Sequence, residues 1–577
     1  MDTTFKQGPK APKDPTKKQP GFYIMRNKEV AFSPAPDGKG VCPIYENDGR
    51  LLSSARLVGN VQDETILKLM ETTEGFKKLV GKIGVTVEGT DTEGITNFFF
   101  QMYGKHDTYG GGTQILLPVK MDGMEYVVDL NEVEWSDDDD IPGQIRFEYK
   151  KPGDLVTVGV KLYLNEGFTV PEPEEEFPVD FESDEYKAIV AKSLMSKGNN
   201  ARLKRALKKA RSGEETTIAF IGGSITQGAG AVPINTECYA YRTFKGFCDV
   251  ANVGYDENVH YIKAGVGGTP SEYGMLRYRR DILDECKEGP DVVVVEFAVN
   301  DEGDETKGEC FDSLVRKIYD GPGKPAVIII FAVFANDWNL QDRLRPVGDA
   351  YKIPMVSTLD SVVDQFKLKA GEGRVLSKSQ YFYDMFHPSN MGHRIMADGI
   401  INLIEKIDAD SEDEEIVSLA KIAAPLGDEF ENVELLDRLV NNCGAKIDCG
   451  DFDDTDKELQ AVERNLDRFT TPQLPNNWMH KGQKGGTKSF KMDVKCSALL
   501  VIFKDSADNK DGTADVFVDG NKVLTLDPHV VGWTHCDPVI ALRGAEDKLH
   551  NIEIRMAKGY EDKDFTILGF GVVTAEQ

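Results

Sequence analysis

Three patterns of apolar and polar positions succeed one another along the chain. Between residues 21 and 168, short apolar runs stand between Gly, Asp and Pro clusters. Examples are Asn97-Phe98-Phe99-Phe100, Tyr126-Val127-Val128-Asp129-Leu130 and Ile145-Arg146-Phe147-Glu148-Tyr149. Leu155 to Leu164 alternates apolar with polar residues, as a strand with one wet face does. These residues predict an N-terminal β-rich domain, interrupted by one helical segment from Glu64 to Val80. From 216 to 408 the runs become apolar on both faces: Thr217 to Ile221, His260 to Ile262, Val292 to Phe297, Ala326 to Phe334 and Pro354 to Ser357. Helix-length segments separate them, which predicts an α/β domain on a parallel sheet covered from both sides. From 425 to 577 the β pattern returns, with Asp519-Gly520 placed as a tight hairpin turn between two strands.

The junctions are polar. Residues 1–20, rich in lysine and proline, read as a disordered tail with neither the apolar core of a signal peptide nor a transit helix. Residues 169–215 hold a stiff acidic linker at Pro171 to Glu176 and then a basic helical segment, Glu185 to Arg211. Its cations are expected over an acidic neighbour rather than on nucleic acid. A second acidic linker, 409–424, follows the α/β domain. The acidic run Asp137 to Asp140 reads as a solvated loop.

Composition narrows the partners. A net charge of −29 over 577 residues argues against nucleic acid or an anionic membrane and suits an uncharged substrate. No run approaches the length of a membrane span. The nine cysteines are scattered, with no CxxC pair, as expected of reduced thiols in a cytoplasmic protein.

The candidate chemistry starts where the strand Thr217 to Ile221 runs into Gly222-Gly223-Ser224. A serine on a glycine-cleared turn exposes its hydroxyl, but a hydroxyl is a poor nucleophile without a base. Asp384-Met385-Phe386-His387 supplies one: an Asp three residues before a His fixes the imidazole's tautomer and stabilises its charged form. Two further loops follow strands at the same sheet edge, where α/β proteins bind ligands. They are Ala264-Gly265-Val266-Gly267-Gly268-Thr269 and Ala298-Val299-Asn300-Asp301, and either can offer an amide to an oxyanion. Rival motifs fail on spacing. An α/β-hydrolase elbow needs Gly where Thr226 stands, and a dinucleotide loop needs Gly at Ser224. A calcium loop at Asp511-Gly512 fails at Ala507 and Val518.

These blocks, taken in order as Gly222-Gly223-Ser224, Gly268, Asn300-Asp301 and Asp384-x-x-His387, resemble the SGNH (GDSL-type) hydrolase family over about a third of the chain. Gly223 stands where that family usually has Asp, and Ala298 where it has Gly. The resemblance implies a flavodoxin-like α/β/α sandwich with a Ser224, His387, Asp384 triad. It also implies an oxyanion hole from Ser224, Gly268 and Asn300, with no metal or cofactor. Phe334-Ala335-Asn336-Asp337-Trp338-Asn339 looks like variants in bacterial carbohydrate esterases that deacetylate plant polysaccharides and often carry β-sandwich accessory domains.

The expectation is a serine esterase that takes acetyl groups from oligosaccharide hydroxyls. Trp338 would stack on sugar, with Asn336, Asp337 and Arg343 as polar contacts. The alternatives are a lipase or thioesterase acting on acyl chains, and a catalytically inactive carbohydrate-binding protein. Trp478 and Trp533 in the C-terminal β region are either sugar platforms or core residues. Nothing in the sequence sets the oligomeric state.

Overall fold

In a computed structural model, the structure describes residues 19–574 except 36, 47–48, 173–174, 256 and 464–469. Most of the expected N-terminal tail, and Pro173-Glu174 of the first linker, lie outside the described residues. The chain forms two compact units, Met1–Asp180 with Asp364–Gly392, and Phe181–Val363 with His393–Gln577.

The first unit contains two antiparallel sheets. One runs in the order Gly21–Ala31, Leu155–Leu164, Val80–Gly89, Tyr126–Asp129. The other runs Ser33–Pro34, Gly40–Glu46, Asp139–Tyr149, Ile95–Gly104, Gln114–Lys120. Phe22, Val85, Val160 and Leu162 of the first sheet share a core with Phe98, Phe100 and Phe147 of the second, so this region is a β-sandwich. The expected helix at 64–80 is two helices, Glu64–Leu69 and Thr73–Leu79, because Thr72 caps a new start by accepting from the Gly75 N–H. A further helix, Arg50–Leu57, lies in the segment read only as β-rich. The segment 364–392 packs in this unit, although it follows the α/β strands in sequence.

The second unit is built on a six-stranded sheet ordered Leu194–Ser196, Met355–Ser357, Ala326–Phe331, Val292–Glu296, Thr216–Gly222, Val259–Gly265. Five strands are parallel, but Leu194–Ser196 runs antiparallel to Met355–Ser357, so the sheet is mixed rather than wholly parallel as expected. This extra strand interrupts the segment read as one helix, which is Asp184–Lys192 and Ala201–Arg211. Side chains alternate between two cores. Ile221, Val293, Val295 and Ile329 face Tyr273, Phe311 and Leu314. Phe220, Val294, Ile328 and Ile330 face Leu207, Phe244, Phe247 and Leu403.

The basic helix Ala201–Arg211 is tied to acidic residues and carbonyls. Arg202 is buried and donates to the carbonyls of Tyr319, Pro325, Ile416 and Val417. Arg205 pairs with Glu415, Lys209 with Asp291 and Arg211 with Asp408. It is a clasp for the second acidic linker.

Two five-stranded antiparallel sheets complete this unit between Val433 and Val573. Their inner faces share Phe490, Val501, Phe503, Ile554 and Phe570. Ala498, Leu500, Ile502 and Leu568 point the other way, into the same core as Ile221 and Val295. The predicted hairpin is present, with both Asp519 and Gly520 at positive φ as a type I′ turn requires. Among the described residues no helix is long and apolar enough to cross a membrane.

Candidate active site

Three neighbouring parallel strands end at one edge, and each delivers a loop there. The strand Thr216–Gly222 ends at Gly222-Gly223, and Ser224 opens the short helix Ser224–Gln227. A β-carbon on Gly223 would stand 2.3 Å from Asn300 Oδ1, so the Asn300 carboxamide fills the space a side chain at 223 would need. That packing accounts for glycine where the resembled family usually has Asp. Beside it, a β-carbon on Gly267 would lie 3.7 Å from Ser224 Cβ, which places the second glycine loop against the serine. Gly268 has φ +69 and the Trp533 ring edge 2.6 Å from where its β-carbon would be, so only glycine fits.

Asn300 follows the strand Val292–Glu296. Its backbone N–H donates to the Phe297 carbonyl at 3.0 Å, which leaves the side-chain amide as its donor toward the serine turn. The next residue, Asp301, is fully buried and its Oδ1 accepts from the Ser271 N–H at 2.8 Å, joining this loop to the helix after Gly268. Burial pushes the Asp301 carboxyl up to about 7. Beneath the serine turn, burial raises Glu296 to about 8, and Glu296 Oε2 accepts from Thr226 Oγ1 at 3.2 Å. Burial therefore favours the protonated form of both carboxyls, which tie the turns through hydrogen bonds.

The Asp384–His387 pair belongs to the other unit. His387 Nδ1 lies 2.9 Å and 3.0 Å from the two Asp384 oxygens, and Asp384 Oδ1 also accepts the N–H groups of Phe386 and His387 at 2.8 Å each. Burial opposes charge on Asp384, but His387, these amides and Lys28 outweigh it and hold the carboxyl well below the usual range. A carboxylate against Nδ1 leaves Nε2 as the basic nitrogen.

Lys28, which sequence reasoning missed, lies beside this pair. It lies 3.6 Å from the centroid of the Tyr383 ring and donates to the Tyr383 carbonyl at 3.4 Å. Burial lowers it to about 8, with Asp384 opposing that shift. It is separated from Asp384 by most of the chain and stands in an unremarkable strand, so no local signal marks it.

The other expected site residues lie in the loop from 334 to 340 and, for Arg343, in the first turn of the helix Gln341–Tyr351 that follows it. Phe334 and Trp338 form a closed turn, with Phe334 N–H donating to the Trp338 carbonyl at 3.0 Å and Asp337 at φ +63. Asn336 is exposed, Trp338 half-buried, and Arg343 donates to the Asp301 carbonyl at 2.9 Å. Arg343 thus braces the Asn300 loop. Trp478 is a core residue, 3% exposed and packed on Phe490 and Phe570. Trp533 is 44% exposed beside Gly268.

Residues 220–395 match the family described as GDSL-like Lipase/Acylhydrolase. Among solved structures, a two-domain esterase (CEX) active on acetylated mannans, co-crystallized with mannopentaose, is 26% identical. The similarity covers 67% of this chain and 99% of that one, with a TM-score of 0.56. Another crystal structure of a two-domain esterase (CEX) active on acetylated mannans matches at 25% identity, with the same coverage and TM-score. A comparison with curated proteins gives no match. Residues 220–395 are thus similar to the GDSL-like lipase/acylhydrolase family, the SGNH group that the four sequence blocks resemble.

Proposed function

We propose that this chain is a serine esterase that removes O-acetyl groups from mannan- or xylan-derived oligosaccharides, on a flavodoxin-like domain. The observation that carries the reading is the meeting of Ser224, the Gly267-Gly268 loop and the Asn300 carboxamide at the carboxyl edge of three adjacent strands. Ser224 Oγ attacks the acetyl carbonyl carbon and His387 Nε2 takes its proton. The charge that develops on the carbonyl oxygen falls on the amides of Ser224, Gly268 and Asn300. The C–O bond to the sugar breaks, His387 returns the proton to the departing sugar oxygen, and water hydrolyses the acetyl-serine by the same route. Asp384 keeps the imidazole in the tautomer this needs.

Similarity to an esterase active on acetylated mannans supports the sugar as substrate. Trp338, Asn336, Asp337 and Arg343 are assigned to its binding, and the exposed Trp533 ring adds an aromatic platform beside Gly268. The test is acetate release from acetylated manno- and xylo-oligosaccharides by wild type and by Ser224→Ala. Wild type is expected to release acetate, and the variant only a trace. Wild-type release by Ser224→Ala would overturn the reading, and a rate maximum on octanoate esters would turn it toward the lipase alternative.

A further inference from the structure

The Gly267-Gly268 loop is fastened from outside the α/β domain, by side chains of the C-terminal β region. Three consecutive peptide groups are involved. The Gly267 N–H donates to Gln227 Oε1 at 2.9 Å, and Gln227 Nε2 donates to Glu463 Oε2 at 2.7 Å. The Gly267 carbonyl accepts from Gln460 Nε2 at 2.8 Å, while Gln460 Oε1 accepts from the Cys536 N–H at 3.0 Å. The Gly268 carbonyl accepts from His535 Nε2 at 3.0 Å. Among the described residues, the Gly268 N–H has no acceptor.

The middle peptide is the decisive one. Its carbonyl belongs to Gly267 and its N–H to Gly268, so one rigid plane carries both the group Gln460 holds and the amide assigned to the oxyanion. Glycine on both sides makes rotation of that plane sterically cheap, because neither residue has a β-carbon to oppose it. A flipped plane would present a carbonyl oxygen to a developing negative charge. Nothing in the loop's own sequence prevents this. Gln460 does, because its carboxamide is buried and hydrogen-bonded at both ends. A hydrogen bond received at the carbonyl also polarises the same peptide and makes its N–H a stronger donor.

His535 fixes the next plane. It is 4% exposed, burial lowers its pKa, and its Nδ1 has no hydrogen-bond partner. A neutral imidazole facing a carbonyl must carry its proton on Nε2, so His535 is a donor here.

We infer that Gln460 and His535 are positioning residues for the oxyanion loop, so that the C-terminal β region completes the catalytic centre rather than only carrying substrate. The inference rests on the esterase reading above and on Gly268 as an oxyanion donor.

The test measures kcat and KM of the full-length chain on p-nitrophenyl acetate and on acetylated manno-oligosaccharide, with melting temperature alongside. Gln460→Leu is expected to lower kcat about 10- to 100-fold on both substrates. That approaches the 10²–10³ typical of losing one oxyanion donor outright. KM on p-nitrophenyl acetate should hold within about twofold. Gln460→Glu keeps the acceptor for Cys536, but its ionised form cannot donate to Gly267. Its rate relative to wild type should be lowest at pH 8 and rise toward pH 5 as the carboxyl regains a proton. His535→Phe should lower kcat, and His535→Gln, which retains a donor, should recover part of it. Wild-type kcat in Gln460→Leu beside an inactive Ser224→Ala would overturn the clamp alone. So would a flat pH ratio in Gln460→Glu, or losses restored wholly by assaying below a lowered melting temperature. An active Ser224→Ala would instead remove the esterase reading itself.

Discussion

The two β-sandwiches look alike as sequence, yet one holds the Asp384–His387 block and the other the Gly267-Gly268 loop, each by a different kind of force. The N-terminal sandwich keeps its own core, which among the described residues draws on positions 22 to 170. It contributes a charge, Lys28, to the Asp384–His387 block. The C-terminal sandwich shares a core with the α/β sheet through Ala498, Leu500, Ile502 and Leu568. It contributes hydrogen bonds, from Gln460 and His535, to the glycine loop beside Ser224. A long-range charge tolerates small displacements, whereas a peptide plane must be held to within a few tenths of an ångström. The region that positions a peptide is the one fused into the core, as that difference in tolerance requires.

The largest expected effect follows from the shared core. Leu500→Ala should cost about 2–5 kcal/mol, as removal of a buried leucine side chain does, and should lower the melting of the unit that contains the α/β sheet. Phe100→Ala should cost about 3–5 kcal/mol but act on the first unit alone. Calorimetry would show this as two transitions, each moved by one variant, and a single transition moved equally by both would break the contrast. Deleting 425–577 should also abolish p-nitrophenyl acetate turnover. A detachable sugar-binding module would have spared it, but the deletion strips the C-terminal side of a shared core and uncovers Leu276 of the helix Ser271–Tyr278.

Next in size is Asp384→Asn. The carboxylate receives two backbone N–H groups as well as the imidazole. An asparagine there can present its NH2 to Nδ1 and enforce the wrong tautomer. A loss of about 10²–10⁴ in kcat is expected, measured on p-nitrophenyl acetate. A loss under tenfold would mean that another group orients His387.

Trp533→Ala sharpens the C-terminal side of the comparison. The ring stands 44% exposed beside Gly268. Its removal should raise KM on acetylated oligosaccharides about 2- to 10-fold, in line with the roughly 0.5–1.5 kcal/mol that a stacked aromatic contributes. KM on p-nitrophenyl acetate should stay near wild type. Equal change on both substrates would make Trp533 a support for the loop rather than a sugar platform.

How much of this was legible in sequence follows the range of each interaction. The strands around Ser224, Gly268 and Asn300 were readable because burial on both faces leaves unbroken apolar runs, and because glycines mark the turns. The Asp384–His387 pair was readable because both residues sit within one turn. The antiparallel strand Leu194–Ser196 was hidden, since three residues between two helices carry no period. The fusion of the C-terminal sandwich was partly visible: Ala498–Asp505 is buried at all eight positions, whereas Leu155–Leu164 alternates. An unbroken apolar run in a β region signals a sheet covered on both sides, and that signal distinguishes the two sandwiches. Gln460, His535 and Lys28 left no signal, because their partners are distant in sequence and each residue type is ordinary where it stands.

The smallest expected effect belongs to Lys28, and it tests the N-terminal half of the comparison. Lys28→Met keeps the length of the stem over the Tyr383 ring and removes only the charge. Asp384 remains held low by His387 and two amides, so kcat/KM should fall only about 3- to 10-fold, a single screened charge being worth roughly 1 kcal/mol. The pH dependence gives the finer reading. Folding lowers Lys28 from an ordinary 10.5 to about 8, so between those values the unfolded chain binds the proton that the folded chain has released. Stability of the first unit should therefore rise with pH from about 8 to 10.5 on account of this group. Lys28→Met should lack that rise while sharing every other pH effect. Denaturation of the two proteins at pH 7.5 and pH 10 isolates the difference. An equal slope in both would show that Lys28 is solvated, and would leave the N-terminal sandwich without an electrostatic hold on the Asp384–His387 block.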